Sequence, residues 1–277
     1  MGFYYGHIKL EQADAVLQAR VGNISVYENY FILKLFINYE EIAFHVLGNE
    51  YYAHEFVFLL AGGEQIEIPF VLDIDFPDEN YTYKLTAGIF VAPFSHAKDQ
   101  GHAVIHHGSA LNFDLTLGKG SEIGESMSYN ANALAQRENV MFGDFRINTQ
   151  FDDLHEMEFA APTKVLLQAR SGEEVKLSYF VNPSVLYDGW EFENYLILAM
   201  LGFEQIDLNG QSYLFVRVEE HEYNQVVEHG VFTITMPKEV GFYEFVAIMI
   251  PNPLQRNSWE TFGLLEMADR FTIEVVD

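Results

Sequence analysis

Acidic side chains gather twice in this 277-residue chain, at Asp73, Asp75, Asp78 and Glu79 and again at Glu219, Glu220 and Glu222, each time where an apolar run gives way to polar residues. Carboxylate oxygens converging from a loop suit a hard cation, and Ca²⁺ takes roughly six to eight oxygen ligands. Neither cluster reproduces an EF-hand loop, and solvated loop charge explains each one singly. Their recurrence in a chain of formal charge −26 makes them the candidate Ca²⁺ sites. Histidines are the other candidate ligands. In "SHAKDQGHAVIHHGS", His102 and His106 fall on one face of an extended strand, with His96 upstream and His107 on the opposite face. The competing reading is a polar connection between two strands. His54-Glu55 and His221-Glu222 both lack the second His, four positions on, that a zinc protease helix requires.

Flat aromatic faces are the remaining chemistry. Trp190 in "VLYDGWEFENY", with Tyr187, Tyr195 and Trp259, could stack on sugar rings, which makes a carbohydrate-binding module the alternative function; otherwise these rings cap a core. Asn23-Ile24-Ser25 and Asn80-Tyr81-Thr82 match the glycosylation sequon. The chain has no cysteine, so thiol catalysis, disulfides and thiolate metal sites are excluded. It has no nucleophile elbow, P-loop or dinucleotide fingerprint either, and the expectation is a protein that is not an enzyme.

Fifteen basic against 41 acidic residues repel phosphate backbones and anionic headgroups alike, which argues against nucleic acid and against a membrane surface. No apolar run reaches the roughly 18 residues of a spanning helix. The start "MGFYYGHIKLEQ" lacks the layout of a signal peptide, so a secreted or cell-surface protein would be met here in mature form.

What must position these residues is a set of short strands. Sixteen Tyr, 24 Phe, 20 Gly and 8 Pro in a chain only 20% charged describe a turn-punctuated β protein. "AVLQAR" (15–20) returns as "VLLQAR" (165–170), and the segments that follow can be laid side by side: "YFILKLFINYEE" (30–41) on "EEVKLSYFVNPS" (173–184), "FVFLLAGGEQIEI" (56–68) on "YLILAMLGFEQIDL" (195–208), and "PFVLDIDFPDENY" (69–81) on "LFVRVEEHEYN" (214–224). Then Tyr83, Ala87 and Pro93 meet Tyr243, Ala247 and Pro253, and Phe113, Leu115 and Leu117 meet Phe271, Ile273 and Val275 at strand period. "ISVYENY" (24–30) reads as an additional strand of the first copy. Two copies with this strand density predict an all-β chain of two tandem antiparallel immunoglobulin-like β-sandwich domains, at 1–117 and 154–277. Between them, 118–153 is a partly structured connector, with a short helix near 121–139 carrying Ile123, Met127 and Leu134, and a strand over Val140 to Ile147. In layout this resembles the tandem Ig-like modules of bacterial and archaeal surface proteins.

The expected function is therefore a structural or adhesive protein outside the cell, self-associating or binding other surface proteins. It would be a fibre or layer subunit in which a terminal segment such as "GFYYGHIKL" completes a neighbour's sheet by strand addition.

Overall fold

The computed structural model describes residues 7–74, 81–100, 108–117, 122–123, 130–131, 134–137, 145–149, 165–181, 193–218, 226–255 and 265–277. The chain forms two compact units. Unit 1 comprises residues 1–94, 107–126 and 254–264; unit 2 comprises 95–106, 127–253 and 265–277. Each is an antiparallel β-sandwich of immunoglobulin-like order, and within 118–153 the described residues include strands at 122–123, 134–137 and 145–149.

In unit 1 the strands are β1 (His7–Leu10), β2 (Leu17–Gly22), β3 (Asn29–Ile37), β4 (Glu40–Ile42), β5 (Phe44–Val46), β6 (Phe56–Leu60), β7 (Gln65–Leu72), β8 (Tyr81–Val91), β9 (Gly108–Leu117) and β10 (Glu122–Ile123). The larger sheet runs β1-β9-β8-β3-β4, with β6 also on β3 and β10 also on β8; the smaller runs β2-β7-β5. Unit 2 contains β11 (Leu134–Arg137), β12 (Phe145–Thr149), β13 (Leu166–Arg170), β14 (Glu174–Val181), β15 (Asn194–Leu201), β16 (Glu204–Ile206), β17 (Leu214–Arg217), β18 (Val226–Thr235), β19 (Gly241–Pro251), β20 (Glu266–Met267) and β21 (Phe271–Val276). Its larger sheet runs β13-β21-β19-β15-β16, with β17 on β15 and β20 on β19; its smaller sheet runs β11-β18-β14-β12.

The same order recurs, and in each unit the first strand of the larger sheet lies parallel to the last, β1 on β9 and β13 on β21, while the other main ladders are antiparallel. Alternation sets the cores. Leu33, Leu35, Tyr83, Leu85 and Leu115 face Leu17, Ile68 and Phe70 in unit 1, and Ile197, Phe245, Phe271 and Ile273 face Leu177, Tyr179 and Phe232 in unit 2.

A duplicated hairpin fixes the correspondence. β3 and β4 are joined by Asn38 and Tyr39 at φ 47° and 72°, and β15 and β16 by Gly202 and Phe203 at φ 62° and 67°. Positive φ at both central residues is the two-residue turn whose twist suits a hairpin. The aromatic second residue tolerates a left-handed backbone because it is buried, Tyr39 at 1% and Phe203 at 4% exposure.

This correspondence corrects the repeat. "AVLQAR" supplies β2, antiparallel to β7, whereas "VLLQAR" supplies β13, parallel to β21, so the two hexapeptides are not equivalent. The true counterpart of 31–42 is 195–206, that of β6 is β17, and that of β2 is β14. The pairings of 30–41 with 173–184, 56–68 with 195–208 and 69–81 with 214–224 are each displaced by a strand or more. Short alternating edge strands look alike whichever sheet they join, and this misled the alignment. The pairing of Tyr83 with Tyr243 and of Phe113 with Phe271 does stand: Tyr83 lies opposite Leu115 and Leu85 opposite Phe113, as Tyr243 lies opposite Ile273 and Phe245 opposite Phe271.

Two further expectations change. Residues 24–28 form a loop, not a strand. Within 121–139 the described segments Glu122–Ile123 and Leu134–Arg137 are strands rather than a helix, β11 finding its donors and acceptors on β18. Of the strand expected at 140–147, residues 145–147 fall in β12, antiparallel to β14, and 140–144 lie outside the described residues.

Candidate functional site

Unit 1 carries a rigid apolar loop between β2 and β3. Asn23 is buried at 3% exposure, and its Nδ2 donates to the carbonyls of Tyr27 (2.7 Å), Leu60 (3.0 Å) and Ala61 (3.2 Å). The Ser25 amide donates back to Asn23 Oδ1 (3.0 Å), Ser25 Oγ bridges the Tyr27 amide and carbonyl at 2.9 Å each, and Asn29 Nδ2 donates to Ser25 Oγ (3.1 Å). Gly62 closes the base, since a Cβ there would lie 2.4 Å from the Val26 carbonyl oxygen. Asn and Ser at these positions replace main-chain ladder bonds with side-chain ones, which is why the segment is a loop despite its β-branched and aromatic content.

What the loop holds up is apolar. Ile24, Val26 and Tyr27 are 102%, 82% and 76% exposed. The β3–β6 ladder exposes apolar residues as well: Tyr30 lies opposite Leu59, and the Tyr30 ring meets exposed Phe94 edge-on at 5.3 Å. Single exposed apolar residues are ordinary; three on one short hydrogen-bonded loop make it a candidate contact surface. The sequon at Asn23 is thereby corrected, because its amide nitrogen is buried and already committed to three carbonyls.

Unit 2 holds two buried polar centres. Glu244, on the face of β19 that points away from the core, accepts from Thr272 Oγ1 at 2.6 Å, lies 2.9 Å from Arg270 Nε and 3.1 Å from His96 Nδ1, and takes the Ala97 amide at 3.3 Å. Arg270 is fully buried and donates from Nη2 to the Ser95 carbonyl at 2.6 Å. Burial lowers the Arg270 pKa while Glu244 holds it up, so it remains a cation. The start of a single-turn helix, α1 (Ala97–Gln100), is completed by the Lys98 amide donating to Thr272 Oγ1 at 3.1 Å and by Lys98 Nζ 4.2 Å over the Phe242 ring. His96 is thus a partner of Glu244; His102, His106 and His107 lie outside the described residues.

The corresponding position in unit 1 carries the opposite charge. Lys84, opposite Asp114 as Glu244 is opposite Thr272, is paired to Asp114 Oδ1 at 2.6 Å and donates to the Gln255 carbonyl. The second centre of unit 2 lies inside its core, where burial pushes the Tyr179 and Tyr195 phenol pKa values up and the Glu228 charge raises both further. Tyr195, offered as a sugar platform, is therefore corrected to a core residue at 0% exposure.

Of the acidic candidates, Asp73 is an exposed loop residue, while Asp75, Asp78, Glu79, Glu219, Glu220 and Glu222 lie outside the described residues, as do Tyr187, Trp190 and Trp259. Among the described residues no three His, Asp or Glu side chains gather as a metal site. No described helix is long and apolar enough to cross a membrane.

No family model and no curated protein matches the chain. Among solved structures the chain is similar to the E. coli chaperone DraB (8% identity, 98% of this chain and 94% of that one, TM-score 0.29). It is similar to the C-terminal domain of the Streptococcus agalactiae AgI/II polypeptide BspA (9% identity, 99% and 96%, TM-score 0.28). A third likeness is to the CsuC–CsuE chaperone–tip adhesion subunit pre-assembly complex of Acinetobacter baumannii Csu pili (9% identity, 99% and 96%, TM-score 0.25). With TM-scores this low, the immunoglobulin-like assignment rests on strand order and register.

Proposed function

We propose that this chain is a non-enzymatic structural or adhesive protein of a cell exterior, acting through protein–protein contacts as a subunit of a surface fibre or layer assembled by strand addition. The observation that carries this reading is the apolar loop 23–28. Burying Ile24, Val26 and Tyr27 against a partner costs little ordering entropy, because Asn23, Ser25 and Gly62 have already fixed the backbone. An aromatic anchor beside aliphatic neighbours is the composition of an interface hot spot.

The N-terminal donor narrows under this reading. His7–Leu10 pairs with β9 of the same chain and buries Ile8 and Leu10, so those residues are engaged in cis; residues 1–6 lie outside the described part.

The test is negative-stain imaging with light scattering of the purified protein across a concentration series. Filaments, sheets or concentration-dependent growth in mass are expected, and the triple change Ile24→Ser, Val26→Ser, Tyr27→Ser should suppress them. A protein that stays monodisperse at every concentration, or a triple variant that assembles like the parent, overturns the reading.

A further inference from the structure

The two smaller sheets differ at one edge. In unit 2, β14 lies between β18 and β12; in unit 1, its counterpart β2 pairs among the described residues with β7 alone. Register shows which main-chain groups this leaves outward. The Asn23 amide donates to the Glu64 carbonyl at 2.8 Å, continuing the β2–β7 ladder, and antiparallel pairs alternate between bonded and non-bonded. Bonded pairs therefore fall at Val21 with Ile66, Ala19 with Ile68 and Leu17 with Phe70. Pro69, opposite Gln18, agrees: it has no N–H to give, and its carbonyl accepts from Leu47 on the far side. The amides and carbonyls of Gln18 and Arg20 consequently point away from β7, at an edge that no other described strand occupies.

We propose that this edge of β2 is an acceptor for an extended strand donated by another polypeptide, running antiparallel, with apolar side chains at alternate positions. The occupant's chemistry is drawn in the same molecule. On the equivalent edge β12 runs antiparallel to β14 over Phe145 to Thr149, and Phe145 and Ile147 enter the core at 4% and 0% exposure. Unit 1's corresponding wall is formed by Leu17, Ala19 and Val21, of which Leu17 and Val21 are already buried at 2% and 7% exposure and Ala19 is partly buried. On the opposite face of β2, Gln18 and Arg20 are both held by Glu67, at 2.8 Å and 2.5 Å, so their side chains are drawn onto β7 rather than folded over the edge. A strand with Phe and Ile at alternate positions would gain main-chain bonds from Gln18 and Arg20, with its apolar side chains set beside the partly buried Ala19. This rests on the strand-addition reading above and names its receiving site.

The probe is a synthetic peptide of residues 143–151, labelled at its N-terminus, with binding followed by fluorescence anisotropy and by amide hydrogen exchange on the full chain. In the free protein the Gln18 and Arg20 amides should exchange quickly and Ala19 and Val21 slowly; saturating peptide should protect Gln18 and Arg20. Gln18→Pro and Arg20→Pro, which remove outward N–H groups together with the side chains bonded to Glu67, should each weaken peptide binding ~10-fold or more. Ala19→Pro, which breaks an inward bond, should instead lower thermal stability. Without peptide, protection of Gln18 and Arg20 that grows with protein concentration would support the proposal and identify a second copy as the donor. Protection without peptide that is independent of protein concentration would mean that the edge is already covered in cis and overturns the proposal. So does an absence of peptide binding, or binding that the proline variants leave intact. Peptide binding that survives in a chain showing no self-assembly would sink the fibre reading and leave the acceptor edge standing.

Discussion

Removing the Glu244 carboxylate should expose how much the segment at 95–98 depends on it. In Glu244→Ala, Arg270 stays fully buried without its counter-ion, and Thr272 Oγ1, the Ala97 amide and His96 each lose an acceptor. Breaking one side of a buried pair costs about 3–5 kcal/mol, most of it the uncompensated charge. For a domain of this size that corresponds to a fall in Tm of roughly 6–20 °C, at about 2–4 °C per kcal/mol. Because two units need not melt together, the readout should be local: amide exchange in urea over 241–251 and 271–276, with 29–37 in unit 1 as internal reference. Glu244→Gln, which can still accept from Thr272 and Arg270, should lie between parent and Ala. The double change Glu244→Leu, Arg270→Met should recover most of the loss, since an apolar pair of similar volume removes the orphaned charge. A single-variant cost under about 1 kcal/mol, or a double variant no more stable than Glu244→Ala, would show that the ion pair is not what holds 95–98.

Other expectations are local. Gly62→Ala places a Cβ 2.4 Å from the Val26 carbonyl oxygen, so the loop must shift; faster proteolysis within 23–28, with β3 exchange unchanged, is the expected signature. Gly230→Ala meets the Tyr179 hydroxyl at 2.4 Å in a filled core and should cost about 1–3 kcal/mol in urea unfolding, which Tyr179→Phe should partly relieve. His229 is buried and desolvation lowers its pKa from 6.5, so the unfolded chain takes up its proton first; stability should fall as pH drops below about 6.5, and His229→Phe should flatten that limb of a Tm-against-pH curve. For Ca²⁺, equal melting curves with ion and with chelator would reduce the acidic loops to solubility devices.

Much of the fold was legible because period-2 alternation and aromatic content are properties of single segments. The later strands, Tyr83 with Tyr243 and Phe113 with Phe271, matched because those strands are long and central, and their inward residues meet the same neighbours in both units. The early strands did not: β2 and β13 spell almost the same word, yet one hydrogen-bonds antiparallel and the other parallel, a choice made by partners far away in sequence. The better signal was present in the hairpins, where "INYEEI" and "LGFEQI" share a two-residue turn followed by Glu and Ile. For the site, residue type alone favoured carboxylates and tryptophans. The apolar loop was concealed because Ile, Val and Tyr read as strand formers, and only the three bonds from Asn23 Nδ2 show why they are not. Nothing in Glu244 or Arg270 by itself marks them as partners; their adjacency depends on the β19–β21 ladder.

Unit 1 is not finished until almost all of unit 2 has been made. Lys84 waits for a carbonyl at Gln255, and residues 254–264 belong to unit 1 although they are made after almost all of unit 2. Unit 2 in turn takes in 95–106, made while unit 1 is still being threaded. A nascent chain therefore spends its synthesis with Lys84 and its neighbours lacking their last partner, and closure waits on contacts of very large sequence separation, the kind that slows folding and lengthens exposure of unpaired strand edges. Neither half of the sequence should reach full stability when expressed alone. A break between the halves should be tolerated only if both pieces are present together, so that complementation of co-expressed fragments becomes a property written into the strand order.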